Sequence, residues 1–285
     1  MLCISPIVER MIDLALEEDL CAGDYTTSAI FRDEDSSEAY LVAKQDLVLC
    51  GGEIFAYVMR RVSTLSLGSR IPVEVKFLRK DGERVQKGEK IATMQGSTSI
   101  LLRGERIALN LLQHLTGVAT HTRRLVDILG ENVTLTNTRK TLPGMRELQH
   151  YAVQTGGGHS HRFNLGSGIL IKDNHIAAAG GIANAIARAK ELAPHTLRIE
   201  VEVQTLDEVR EALENKADII MLDNMSDDRM TEALTIIEDR ALVEISGNVT
   251  VENAERLRKF KNVYVSCGAL THSTHAADIS MRFGK

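Results

Sequence analysis

Two short runs in the middle of the chain hold residues suited to binding anions: TNTRK (Thr136 to Lys140) and GGGHSHR (Gly156 to Arg162). Taken alone, Arg139 and Lys140 are an ordinary solvated charge pair. The second run adds His161 and Arg162 behind three glycines, and LIKDNH (Leu170 to His175) places Lys172 after an apolar stretch. Five cationic or potentially cationic side chains, Arg139, Lys140, His161, Arg162 and Lys172, are thereby available to one site in a chain of formal charge −5. Such a local excess implies a ligand with several negative charges. Guanidinium forks pair with both oxygens of a planar carboxylate, whereas lysine serves better as a point charge for phosphate. The mixture suggests both kinds of anion.

Two carboxylates, Glu202 and Asp223, complement these cations. Their oxygens suit Mg²⁺ or ribose hydroxyls, and they could also stabilise a positively charged, oxocarbenium-like sugar. Neither lies in a DxDxDG loop, which disfavours calcium. The turns ISGN (Ile245 to Asn248) and SCGAL (Ser266 to Leu270) contain Gly247 and Gly268, which allow close backbone approach. Amides there, followed by a helix N-terminus, would cradle a phosphate. Singly, each of these residues is an ordinary cap or turn.

Positioning them requires a scaffold, and the second half of the chain supplies a repeated unit. VTLTNT, GILIKDNH, LRIEVEV, ADIIMLDN, ALVEISGN and NVYVSCGA read as strands. IANAIARAKELA, LDEVREALENK, SDDRMTEALTIIEDR and VENAERLRKF read as the helices between the later ones. Strands alternating with helices of this length imply parallel βα units, and a barrel is their natural closure. Glu202, Asp223, Ser246 and Gly268 then all stand at C-terminal strand ends, the rim that carries the chemistry in such folds.

The first half is organised differently. PIVERMIDLALEED has Ile7, Met11, Leu14 and Ala15 at helical spacing, and LCAGDYTTS breaks the pattern. From Tyr40 to Met94 the runs are shorter and strand-like, with turn signals at Asp81-Gly82 and Lys87-Gly88, so a small α+β domain is expected. GERVQKGEKI looks like half of a biotinyl or lipoyl carrier hairpin, but no lysine stands in the modifiable setting, and strand plus turn is the better reading. From Ser97 to Gly130 the apolar spacing predicts two linked helices, with Gly130 as terminator.

Composition excludes several classes. With 285 residues, 44% hydrophobic and 26% charged, the chain can bury a large core. No Trp, 4% aromatic residues and the negative charge argue against a nucleic-acid binder. Cys3, Cys21, Cys50 and Cys267 are far apart without CxxC spacing and read as reduced thiols. The acidic N-terminal region is unlike a signal peptide, and no apolar run approaches the roughly 20 residues a spanning helix needs. A cytoplasmic protein that binds no membrane is the expectation.

The ordered set EEDLCAGDYTT, GERIALNLLQHLTGVAT, TNTRKTLPGMRELQHYAVQTGGG, HRFNLGSGILIKDNHI, EVEV, MLDN, ISGN and VSCGALTHS closely resembles quinolinate phosphoribosyltransferase, the carboxylating nicotinate-nucleotide pyrophosphorylase family, over nearly the whole chain. The resemblance implies an α+β open-faced sandwich domain (1–108), then a seven-stranded α/β barrel (109–285), in a homodimer or higher assembly of dimers. It implies that quinolinate and phosphoribosyl pyrophosphate, with Mg²⁺, give nicotinate mononucleotide, pyrophosphate and carbon dioxide for NAD synthesis. Arg139, His161, Arg162 and Lys172 would hold the quinolinate carboxylates, and Arg106 would reach in from a partner subunit. Thr138 belongs to the same substrate-binding run. Lys140, Lys172, Glu202 and Asp223, the catalytic set, would contact the phosphoribosyl donor or its Mg²⁺, directly or through water or substrate. Ser246, Gly247 and Asn248, with Cys267, Gly268 and Ala269, would hold the 5′-phosphate. Ser160, Asn164 and Asn248 depart from the common family pattern, but none removes a charge the chemistry needs.

Two other readings compete. A Schiff-base aldolase could use Lys140 or Lys172 as nucleophile. A non-catalytic nucleotide binder could retain the same scaffold, although the joint presence of Lys140, Lys172, Glu202 and Asp223 speaks against it.

Overall fold

The computed structural model describes residues 4–65 and 71–284, so Cys3 lies outside the described residues. The elements in chain order are α1 (Pro6–Leu20), α2 (Tyr25–Ile30), β1 (Ser36–Ala43), β2 (Leu47–Val48), α3 (Gly52–Leu65), β3 (Glu74–Phe77), β4 (Arg84–Val85) and β5 (Lys90–Ser97). Next come α4 (Thr98–Leu129), β6 (Val133–Thr136), α5 (Arg146–Thr155), β7 (Ile169–Ile171), α6 (Asp173–Ala179), α7 (Ile182–Leu192), β8 (Ile199–Val203), α8 (Leu206–Glu214) and β9 (Ile219–Asp223). Then follow α9 (Asp227–Ile237), β10 (Leu242–Ser246), a 3₁₀ turn (Ala254–Lys259), β11 (Val263–Ser266), α10 (Ala269–His272) and β12 (Ile279–Phe283).

Packing divides these elements into two compact units, the first comprising Met1–Arg123, Thr141–Gly157 and Thr271–Lys285, the second Arg124–Lys140 and Gly158–Leu270. Compactness therefore does not follow a cut at 108. The helix α4 carries the chain through that position unbroken, and the first unit also draws on two later stretches.

The first unit contains a four-stranded antiparallel sheet in the order β12-β1-β5-β3. Residues 52–65 form helix α3 instead of the strand-like structure expected there. Ile54, Phe55, Val58, Met59 and Val62 recur every three or four residues and bury one helical stripe. GERVQKGEKI is strand and turn, as expected.

The two linked helices expected over Ser97 to Gly130 are one helix of 32 residues. Its interior glycines serve close packing and do not break it. A Cβ added at Gly104 would lie 2.7 Å from Met59 Sδ, and one at Gly117 would lie 2.1 Å from the His275 carbonyl oxygen. Gly130 does stop the helix, at φ +75°, where L side chains are disfavoured, with its N–H donating to the Val126 carbonyl.

The second unit holds a six-stranded parallel sheet in the order β6-β11-β10-β9-β8-β7. These are the six strands read from the sequence. The seven-stranded barrel is not seen as seven ladders; the three residues 158–160 are too short for one and touch β6 through a single parallel bridge, Thr136 to His159. The last expected helix is a 3₁₀ turn of six residues, a geometry that suits short pieces. Helices α8 and α9 begin on the sequence's own signals. Thr205 and Glu208 form a capping box, and Ser226 accepts the Arg229 N–H.

Register sets what the sheet presents. Residues opposed in a parallel sheet share a face, and residues two apart on a strand do too. One face therefore carries Glu202, Met221, Glu244, Tyr264 and Thr134 as one row. A row nearer the C-terminal strand ends holds Asp223 opposite Ser246, and Ser266 opposite Thr136. Glu200 lies a row deeper, opposite Leu170 and Ile219.

Candidate active site

At the C-terminal strand ends the sequence-derived candidates are found where the βα pattern put them. Asp223 and Ser246 are the last residues of β9 and β10, Glu202 is next to last in β8, and Lys172 directly follows β7. Lys172 and Glu202 form an ion pair in which the Nζ donates to Oε2, and the Glu202 side chain is largely buried. An ammonium committed in this way is not the free amine a Schiff-base nucleophile requires. The Asp223 carboxylate accepts from Asn224 Nδ2 at 3.0 Å.

After β6 the chain turns outward. Thr138 and Arg139 are half-buried, Lys140 is exposed, and the Thr138 hydroxyl accepts the Lys140 N–H at 3.0 Å. The structure brings Arg139 close to Arg162, whose guanidinium pKa is drawn below its ordinary value by burial and by repulsion from Arg139. Two like charges held together are stabilised when an anion joins them. Arg162 is anchored by Nη1, which donates to the Gly168 carbonyl at 3.1 Å.

The ISGN turn is built for backbone exposure. Gly247 has φ +115°, and a Cβ there would fall 2.2 Å from Asn224 Oδ1. Asn248 adopts φ +48°, a left-handed conformation that asparagine tolerates. Its carbonyl accepts from Asn253 Nδ2 at 2.7 Å. Cys267 is buried, its thiol pKa raised by that burial against the Leu270 and Ala269 amides that point at the sulfur, and its Sγ–H donates to the Val249 carbonyl. Asn164 turns its own loop by accepting from Gly166 N–H and Ser167 Oγ.

His161 is placed differently from the other candidates. Its backbone N–H donates to Asn137 Oδ1 at 3.0 Å, and its Nδ1 accepts the Arg162 N–H at 2.7 Å. Its Nε2 lies 3.3 Å from one carboxylate oxygen of Glu200 and 3.3 Å from one of Glu244. Both glutamates are buried, and their second oxygens have no hydrogen-bond partner. Burial opposes an imidazolium, while the two carboxylates favour it enough to raise its pKa to about 10. The Arg162 amide argues the other way, because an imidazolium has no lone pair on Nδ1. The 2.7 Å contact leaves Nδ1 as the acceptor, so Nε2 carries the ring proton that faces the two carboxylates, and burial pushes the Glu200 carboxyl up. The group lines a cavity of about 510 Å³ together with Thr136, Arg162 and Tyr264.

Sequence reasoning missed Glu200, Glu244 and Asn137. The alternation in EVEV was a usable signal, since it puts Glu200 and Glu202 on the same face. Arg106 belongs to the first unit and is exposed on α4.

The second unit is thus an α/β scaffold with cationic side chains and carboxylates gathered toward the C-terminal ends of its parallel strands. Comparison with known proteins makes this specific. Residues 24–116 match the N-terminal domain model, and residues 118–282 the C-terminal domain model, of quinolinate phosphoribosyl transferase. A probable carboxylating nicotinate-nucleotide pyrophosphorylase of Bacillus subtilis is 40% identical, covering 96% of this chain and 92% of that protein. A chloroplastic carboxylating nicotinate-nucleotide pyrophosphorylase of Arabidopsis thaliana is 36% identical, covering 96% and 82%. The crystal structure of NadC from Streptococcus pyogenes matches with a TM-score of 0.92 at 39% identity, over 99% of each chain. The chain belongs to the quinolinate phosphoribosyltransferase family.

Proposed function

We infer that the protein joins quinolinate to phosphoribosyl pyrophosphate, releasing pyrophosphate and carbon dioxide and giving nicotinate mononucleotide for NAD synthesis. One observation carries the reading: in a chain matched along its length by this family, Lys172, Glu202 and Asp223 stand at the ends of the neighbouring strands β7, β8 and β9, and Arg139 and Arg162 lie close enough for their charges to interact. Arg139 and Arg162, with Lys172, take the quinolinate carboxylates; His161, expected among them, has both ring nitrogens engaged by the Arg162 amide and by Glu200 and Glu244, and supports Arg162 from behind. Lys140, Lys172, Glu202, Asp223 and Thr138 face the phosphoribosyl donor. The turns Ser246-Gly247-Asn248 and Cys267-Gly268-Ala269 hold its 5′-phosphate.

The chemistry follows from charge. As the ring nitrogen attacks ribose C1, negative charge grows on the departing pyrophosphate, and Lys140 and Lys172 offset it. Positive charge grows on the sugar, toward Glu202 and Asp223. Holding both substrates in line supplies much of the remaining acceleration. Beside the alkylated, positive ring nitrogen, the adjacent ring carbon then holds the electron pair left by departing carbon dioxide and takes a proton from water, so the protein need only desolvate one carboxylate.

Glu202 and Asp223 offer hard oxygen donors on neighbouring strands, which fits Mg²⁺. Glu202 already serves Lys172, so water and substrate oxygens would complete the coordination. Bound there, Mg²⁺ would neutralise pyrophosphate charge.

The working unit is a homodimer or an assembly of dimers in which Arg106 completes the site of a partner, and the setting is the cytoplasm. No helix among the described residues is long and apolar enough to cross a membrane.

The test is consumption of quinolinate with phosphoribosyl pyrophosphate and Mg²⁺, with nicotinate as the competing substrate. Turnover of nicotinate but not quinolinate refutes the reading.

A further inference from the structure

Glu200 and Glu244 sit two strands apart, on β8 and β10, with β9 between them. Both are at least nine-tenths buried, at 4% and 5% exposure. Burying two carboxylates beside each other is costly, and an apolar pair of similar volume would pack this interior at least as well. Each also leaves one oxygen, and nearby Thr136 its hydroxyl, without a hydrogen-bond partner, so the fold alone does not account for them.

What the carboxylates do achieve is visible in their target. Both converge on a single nitrogen, His161 Nε2. With Nδ1 occupied by the Arg162 amide and the backbone N–H by Asn137, the ring cannot rotate without breaking contacts at both of its nitrogens. Because Nδ1 holds the backbone of Arg162 itself, fixing the ring fixes the root of the Arg162 side chain, while Gly168 fixes its guanidinium end. The linkage runs from the sheet interior, through one imidazole, to a guanidinium that lies close enough to Arg139 to feel its charge.

We propose that Glu200 and Glu244 are positioning residues for substrate recognition: gripping His161 from beneath, they hold Arg162 at the angle needed to pair with a carboxylate of quinolinate. The assignment rests on the function inferred above and extends it to two residues that touch no substrate. The spacing of 3.3 Å also matches the edge of a tetrahedral metal site, and that alternative has its own outcome in the test.

The experiment compares wild type with Glu200→Gln, Glu244→Gln and Glu244→Ala. Quinolinate is varied at saturating phosphoribosyl pyrophosphate and Mg²⁺, and then the donor is varied at saturating quinolinate. A displaced guanidinium should raise the quinolinate KM about tenfold in either Gln variant, and more in the Ala variant, while the donor KM stays within about threefold. The Gln variants keep an oxygen able to accept from Nε2–H, so partial rescue relative to Ala is the signature of positioning. Equal losses in both KM values, or no change in either, overturn the proposal. So does one equivalent of zinc retained per chain after dialysis against a chelator, because the glutamates would then be metal ligands. If wild type itself fails to consume quinolinate, the functional reading falls and this assignment falls with it. A normal wild type with unaffected variants refutes the assignment alone.

Discussion

In the first unit, Gly96, Gly117 and Gly156 stand where backbones come into contact: an added Cβ would fall 2.3 Å from the Pro72 oxygen, 2.1 Å from the His275 oxygen and 2.5 Å from the Ala119 oxygen. In the second unit, Gly166 and Gly168 meet nothing nearer than 3.4 Å, and the tight position, Gly247, faces the Asn224 side chain. At these three first-unit positions glycine serves close packing of main chain on main chain. At Gly247 it makes room for a side chain, Asn224, at the end of a strand. Stability should therefore be most sensitive in the first unit, and activity most sensitive at the strand ends of the second.

The sharpest test of that division is Arg139→Ala or Arg162→Ala. Each removes a charge-assisted fork, so quinolinate affinity should fall about 100-fold or more by calorimetry, with the melting temperature nearly unchanged. Unchanged affinity would refute their role in holding carboxylates. Gly117→Ala should do the reverse, costing about 2–4 kcal/mol of stability in denaturant titration through overpacking against main chain, while the folded fraction keeps its KM values.

Arg106 breaks the division if the inference about it holds, since it would be a first-unit residue that acts in catalysis. Co-expressing Arg106→Ala chains with Lys140→Ala chains should restore about a quarter of wild-type activity, because half of randomly paired dimers would contain one intact site. No recovery in mixed dimers would place Arg106 outside the partner's site.

Smaller effects probe each unit's surface and interior. Cys50 and Cys267 are buried, one in each unit, and burial raises both thiol pKa values. Alkylation at pH 8 followed by mass spectrometry should modify exposed Cys21 and spare both until the protein unfolds.

The smallest effect is expected at Asp227, paired with Lys259 and Arg256 in the second unit. The Lys259 hydrogen bond, with help from Arg256 and against slight burial, holds its carboxyl below the usual range. A depressed carboxyl stabilises the fold above its unfolded pKa of about 3.9 and loses that contribution as pH falls through the lower folded value. Its partners are more than one-third exposed, so Asp227→Asn should cost about 0.5 kcal/mol or less at pH 7. The difference from wild type should vanish near pH 2 in thermal melts.

How much of this was legible in the sequence depends on what each residue contacts. The parallel strands and their terminal residues could be read because short β-branched apolar runs alternate with polar, helix-favouring stretches, and Glu202, Asp223 and Ser246 close their runs. Helix α3 was hidden because Ile54, Phe55, Val58 and Val62 are residue types equally at home in strands. That α4 is one helix was not legible because the partners that pack against Gly104 and Gly117, Met59 and His275, lie far away in sequence. Glu200 and Glu244 escaped notice for a related reason: a charge inside a buried strand looks unfavourable until its partner is known. His161 lies in a segment without periodicity, so nothing local announces the pairing.

Strand β12 has a consequence for the order of synthesis. It pairs with β1 through Ala39 opposite Phe283, so a strand translated before the second unit finds its neighbour in one translated after it. A nascent chain emerging from the ribosome must carry β1 with an unpaired edge while the whole second unit is still being made. Chains stalled before residue 279 should therefore be proteolysed more readily near β1 than released, full-length chains.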